Sequence, residues 1–128
     1  MYSNLPKNER TFDIKLVGDT TGVTYEGQFC VTCVLDVGGT HSMELERTRL
    51  IADYANPTGL LANLALALST LRAKVVKAPD WWHNLDDGAK IKDNEIIMAI
   101  FIKCEEQEAA WRKELKDKAE AVSKPEEK

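Results

Sequence analysis

The sequence predicts an α+β protein in which an N-terminal β-hairpin packs on a three-helix C-terminal region. Three observations carry that prediction. From Thr11 to Val37 apolar and polar residues alternate with the period of a half-buried strand, and from about residue 42 to 115 apolar residues recur at helical spacing. Gly38-Gly39 punctuates the boundary between the two regimes. At 128 residues, with 44% apolar and 30% charged residues, the chain has the composition of one ordinary globular domain, and a second full domain does not fit. The expected organisation is a flexible N-terminal arm over 1–10, a single α+β domain over 11–115 and a charged, frayed C-terminal tail over 116–128.

Phe12, Ile14 and Leu16 alternate with Asp13 and Lys15 in the first strand, and Gly18-Asp19-Thr20-Thr21-Gly22 supplies turn residues. In the second strand Val23, Tyr25, Phe29, Val31, Cys33 and Leu35 share one face, with Gly27 marking a bulge or bend and Gly38-Gly39 the end. Two strands alone are marginal, so the hairpin must lie on the helices or pair with another edge. The edge of the 23–35 strand is one candidate for pairing with another chain.

The first helix is placed at about 42–55, capped by Thr40 or Ser42, with Met43, Leu50, Ile51 and Tyr54 on one stripe. Asn56-Pro57 restarts the chain as cap and first helical position, and the second helix runs to about Lys77. Its apolar stripe, Leu60 to Val75, is wide enough to mark the central helix of the fold or a greasy flank toward a partner. Ala78-Pro79-Asp80 stops it, Trp81 to Leu85 form a connector or single turn, and Asp86-Asp87-Gly88 turns the chain. Asp93 is expected to cap the third and longest helix, with Ile96, Ile97, Ile100, Phe101, Cys104, Trp111 and Leu115 as its apolar stripe.

A net charge of −4 gives no electrostatic pull toward nucleic acid or anionic lipid. The longest apolar-biased stretch, Leu60 to Leu71, falls well short of the ~20 residues that cross a bilayer. The polar N-terminus lacks the apolar core of a secretory signal, so a reducing cytosol and free thiols are expected.

No motif announces chemistry, and the chain is expected not to be an enzyme and to hold neither cofactor nor metal. Cys30-Val-Thr-Cys33 has zinc or redox spacing, but residues three apart on a strand face opposite ways and no second pair follows. Gly38-Gly39-Thr40 matches neither a P-loop nor a dinucleotide fingerprint. Asp86, Asp87 and Asp93 lack the alternate-position ligands of a calcium loop, and His41 and His83 stand in unrelated contexts. The least ordinary feature is Trp81-Trp82. Neighbouring residues on a short connector cannot both face inward, so one indole, Trp82 for preference, plugs the core while the other stays partly exposed. Exposed Trp is the residue most enriched at interaction hot spots, and Trp81, Trp82, Phe101 and Trp111 are the candidate protein-binding residues.

The run Ala67-Leu-Ser-Thr-Leu71, Val75-Val-Lys-Ala-Pro79-Asp-Trp-Trp82, an acidic turn, and an acidic helix ending near Trp111-Arg112 resembles the tail assembly chaperones of tailed bacteriophages. A strand segment of the type Tyr25-Glu-Gly27-Gln-Phe29 adds to the likeness, which covers about two thirds of the chain. The resemblance implies a non-catalytic factor in the host cytoplasm that binds tape measure and tail tube proteins. The polar N-terminal arm and charged C-terminal helix suit a second reading, a small virion structural protein (a capsid-associated, decoration or connector component) that grips capsid or other neighbouring subunits. Either setting is compatible with a homo-oligomer.

Overall fold

The computed structural model describes residues 7–52 and 58–123. In chain order the elements are β1 (Glu9–Val17), β2 (Thr24–Thr32), α1 (Val37–Ile51), α2 (Gly59–Lys74), β3 (Val75–Lys77), α3 (Asp80–Asn84) and α4 (Asn94–Ser123). The architecture is α+β. An antiparallel sheet of order β1-β2-β3 rests on α4, which also packs on α2, and α2 in turn carries α1.

β1 and β2 pair from Glu9↔Thr32 to Val17↔Thr24, so Phe12, Ile14, Tyr25, Phe29 and Val31 all face the core. Phe12 and Phe29 stack across the pair at 5.6 Å between ring centres. The strand begins at Glu9, inside the stretch expected to be an arm, because Asn8 anchors it. The Asn8 side chain donates to the Val34 carbonyl and accepts from the Val34 amide, while its own carbonyl takes the Cys33 amide. Residues 1–6 of the expected arm lie outside the described residues.

β2 is the central strand, which corrects the expectation of a free edge there. β3, a strand that helical periodicity concealed, pairs with it through Cys30↔Lys77 and Val31↔Val75. Val75 continues the α2 stripe, yet its backbone is already extended. Two β-branched residues ahead of Ala78-Pro79 favour that switch, since the residue before a proline is pushed out of the helical region. Gly27 lets the connector close down on the sheet: a Cβ there would stand 2.3 Å from Pro79 Cγ.

Asp36 caps α1 by accepting the Gly39 amide at 2.7 Å, so the helix starts five residues before the expected position and takes Gly38-Gly39 into its first turn. None of its residues is buried. Thr58 caps α2 through the Leu61 amide, whereas the expected Asn56-Pro57 start lies outside the described residues. α4 continues to Ser123 instead of fraying at 116. Lys116, Lys118, Ala119 and Glu120 are good helix formers and Lys113 pairs with Asp117 one turn on, so the helix persists although Lys116 to Glu120 are exposed. Residues 124–128 of the expected tail lie outside the described residues.

One buried carboxylate ties the hairpin to α4. Asp93 Oδ1 accepts the amides of Thr20 at 2.7 Å and Thr21 at 3.0 Å, and Oδ2 accepts the Thr21 hydroxyl at 2.6 Å and the Tyr25 phenol at 2.7 Å. This corrects the expected cap: the carboxylate serves the turn, and only the Asp93 carbonyl takes an α4 amide, that of Ile96. Gly18 makes the close approach possible, since a Cβ there would lie 2.3 Å from Asp93 Cγ. Glu95 adds a bond from the Asp19 amide at 2.5 Å. The Thr21 hydroxyl, together with the phenol and the turn amides, outweighs burial and holds the Asp93 carboxyl at about 2.

Because that value lies below the ~3.9 of an unfolded aspartate, the contribution is complete above about pH 4 and disappears as pH falls toward 2. Urea midpoints of the wild type and Asp93→Asn are therefore expected to differ at about pH 6 and to converge as the carboxyl is protonated. A gap that stays constant over that range contradicts the role of the charge.

Candidate protein-binding surface

Pro79 leads into α3 with an extended backbone, and the short helix then points its two indoles in different directions. Trp82 is 1% exposed and meets Phe29 edge-on at 5.4 Å. Behind it Gly88, at a φ of 96°, fits only because it has no side chain; a Cβ would come within 2.6 Å of the Trp82 ring. Asp86 and Asp87 precede it with φ of 56° and 50°, so the expected turn is built from three successive left-handed residues.

Trp81 is half-buried. Its indole N–H donates to the Glu26 carbonyl at 2.9 Å, and its ring lies edge-on to Tyr25 at 5.2 Å and Phe29 at 5.9 Å. The ring lines a mostly apolar cleft of about 270 Å³ together with Val23, Tyr25, Leu85 and Ile91, and Lys90 and Lys92 also line it. Thr21 adds the far wall and is held there by Asp93. The Trp81 ring is therefore fixed by a hydrogen bond and three aromatic neighbours before any ligand arrives.

Phe101 is half-buried in a second depression of about 310 Å³ between α1, α2 and α4, where Met43 and Leu66 are its apolar neighbours. The other side of this groove is ionic. Lys74, 5% exposed, donates to Glu108 at 2.5 Å and Glu105 at 3.3 Å. Burial works against its charge, but the Glu108 hydrogen bond and the two carboxylates outweigh it, and the ammonium titrates above the ordinary lysine range.

The four sequence-predicted residues do not form one surface. Trp81 and Phe101 retain exposure in two separate depressions, whereas Trp82 and Trp111, at 1% and 7% exposed, are buried. Helix periodicity alone places Trp111 on the same stripe as Cys104, so its burial was already implied. Tyr25, Leu85 and Ile91 were missed as cleft walls. The first reads as a core residue of an alternating strand, and the other two gain a common wall only when the 86–88 turn folds the chain back.

Cys30 is half-buried on the sheet, Cys33 and Cys104 are buried, and all three are free; burial pushes the Cys104 thiol up to about 12. Among the described residues no three His, Cys, Asp or Glu side chains gather in a way that could hold a metal ion. His83 meets Asp87 at 2.9 Å on the open surface. Among the described residues no helix is long and apolar enough to cross a membrane.

Fold and site together define an α+β protein whose hairpin and connector enclose a pre-ordered aromatic cleft. No protein-family model, curated protein or solved structure matches the chain.

The two indoles are expected to separate cleanly on truncation. Trp82→Ala should cost about 3–5 kcal/mol of stability by leaving a core cavity, read as a lower urea midpoint. Trp81→Ala, which opens onto the cleft, should cost less than half as much; equal losses mean that Trp81 is simply core.

Proposed function

We propose that the protein works by binding other polypeptides through the Trp81 cleft, as a tail-assembly-chaperone-like factor in phage tail morphogenesis that engages tape measure and tail tube proteins. The observation that carries the binding role is the state of Trp81. A large aromatic side chain is only partly buried, held in orientation by a hydrogen bond to the Glu26 carbonyl, and set beside an apolar hollow. Burying such a ring in a partner releases water from apolar surface while little rotamer freedom remains to be lost. Phe101 offers a second apolar contact in the groove across α2. The phage setting is supported by the Ala78-Pro79-Asp80-Trp81-Trp82 segment that carries the family likeness, and this same segment bears the cleft indole.

The test is binding of the purified protein to tape measure and tail tube proteins encoded beside it. Trp81→Ala is expected to weaken the complex by about 2 kcal/mol, close to thirtyfold, with the fold intact. Wild-type protein that binds neither, or recovery of the chain at fixed copy number from purified virions, argues against the chaperone role and for a virion component.

A further inference from the structure

β1 is the outer strand of the sheet, and among the described residues no strand pairs with its second edge, which Gln107 and Glu114 of α4 approach only near Glu9 to Thr11. The Gly18 amide bonds the Val23 carbonyl at 2.8 Å and the Cys33 amide bonds the Asn8 carbonyl at 2.7 Å, so even-numbered positions of β1 turn their backbone groups toward β2. By the same alternation the amides and carbonyls of Thr11, Asp13, Lys15 and Val17 turn outward. Among the described residues none of these groups has a hydrogen-bond partner. The edge lies across β2 from Trp81, so the two surfaces are separate.

We propose that β1 pairs antiparallel with β1 of a second copy of this chain about a two-fold axis at Ile14, making one continuous six-stranded sheet. The side chains select both the partner and the register. With the axis at Ile14, Asp13 of each copy stands directly opposite Lys15 of the other, in positions that exchange backbone hydrogen bonds. On the exposed face the order across the sheet becomes Glu26, Lys15, then Asp13 and Gln28 of the second copy, extending the existing Lys15↔Glu26 and Asp13↔Gln28 pairs into an alternating ladder. On the core face Leu16 meets Phe12 of the second copy and Ile14 meets its own counterpart, so the half-buried Leu16 is covered. Val17, 61% exposed, falls opposite Thr11.

Neighbouring registers fail for stated reasons. Moving the axis to Asp13 or to Lys15 sets like charges face to face, and moving it to Phe12 sets Arg10 against Ile14 on the apolar side. A one-residue slip turns the core face of one copy against the exposed face of the other. Charges on an edge strand ordinarily repel foreign strands. Here the two signs sit two residues apart, which makes the edge repellent to other sequences and complementary to itself.

Sedimentation velocity of the full chain over a concentration series tests the pairing. The wild type is expected to dimerise, and Asp13→Lys or Lys15→Asp alone to weaken the dimer about tenfold or more, because the symmetry turns two attractive pairs into two repulsive ones. The double variant Asp13→Lys with Lys15→Asp restores opposite charges and is expected to restore the dimer. Both side chains are exposed, so circular dichroism melts should change little. A wild type that stays monomeric throughout, single reversals without effect, or a double variant that stays monomeric overturns the proposal.

Discussion

The fold is organised by the buried Asp93 carboxylate. A hairpin turn has amides that need acceptors, and a helix start has a chain direction to fix; a single aspartate serves both by lending its oxygens to the Thr20 and Thr21 amides and its backbone to α4. Two hydroxyl donors, from Thr21 and Tyr25, complete the shell, so the charge is enclosed without being orphaned. The contact joins residues more than seventy positions apart. It closes the sheet onto the helix, and through Thr21 and Tyr25 it also sets two walls of the cleft.

From that junction the aromatic cluster follows. Tyr25, pinned by its phenol, presents an edge to Trp81; Phe29 meets both indoles; Phe12 stacks on Phe29 from the outer strand. Quadrupoles favour these edge-to-face arrangements, and the rings form a continuous unit from β1 to α3. The difference between the adjacent indoles arises from one helical step of about a hundred degrees on α3. That step carries Trp82 under Gly88 and leaves Trp81 lying along β2 with its N–H satisfied and part of its ring lining the cleft.

Where periodicity was strong the sequence revealed the fold: the hairpin, the α2 stripe with Leu68 and Leu71, and the Ile96, Ile97, Ile100 and Cys104 face of α4 are all buried as their spacing requires. What it concealed depended on partners remote in sequence. Asp93 before a helix has the signature of a cap, and only the approach of Gly18 from the far end of the hairpin redirects it. Val75 to Lys77 read as helix because local spacing allows either state, and the decision comes from β2 offering an edge. Lys74 carried no signal in the chain, since its carboxylate partners stand on another helix. The division of labour between Trp81 and Trp82 was legible in principle from adjacency, whereas the walls that turn Trp81 into a cleft were not.

The position of α1 has a consequence for how the molecule comes apart. No side chain of this helix is buried, and its packing partner is α2. Its ion pairs are mostly short-range surface pairs such as Glu44 with Arg47, which contribute little, and it is tied to the body by Leu50 against the core cluster and by Glu46 with Arg72. Because no α1 side chain is buried while Ile96, Ile97, Ile100 and Cys104 are, backbone amides over Val37–Ile51 are expected to exchange with solvent sooner than those over Ile96–Cys104.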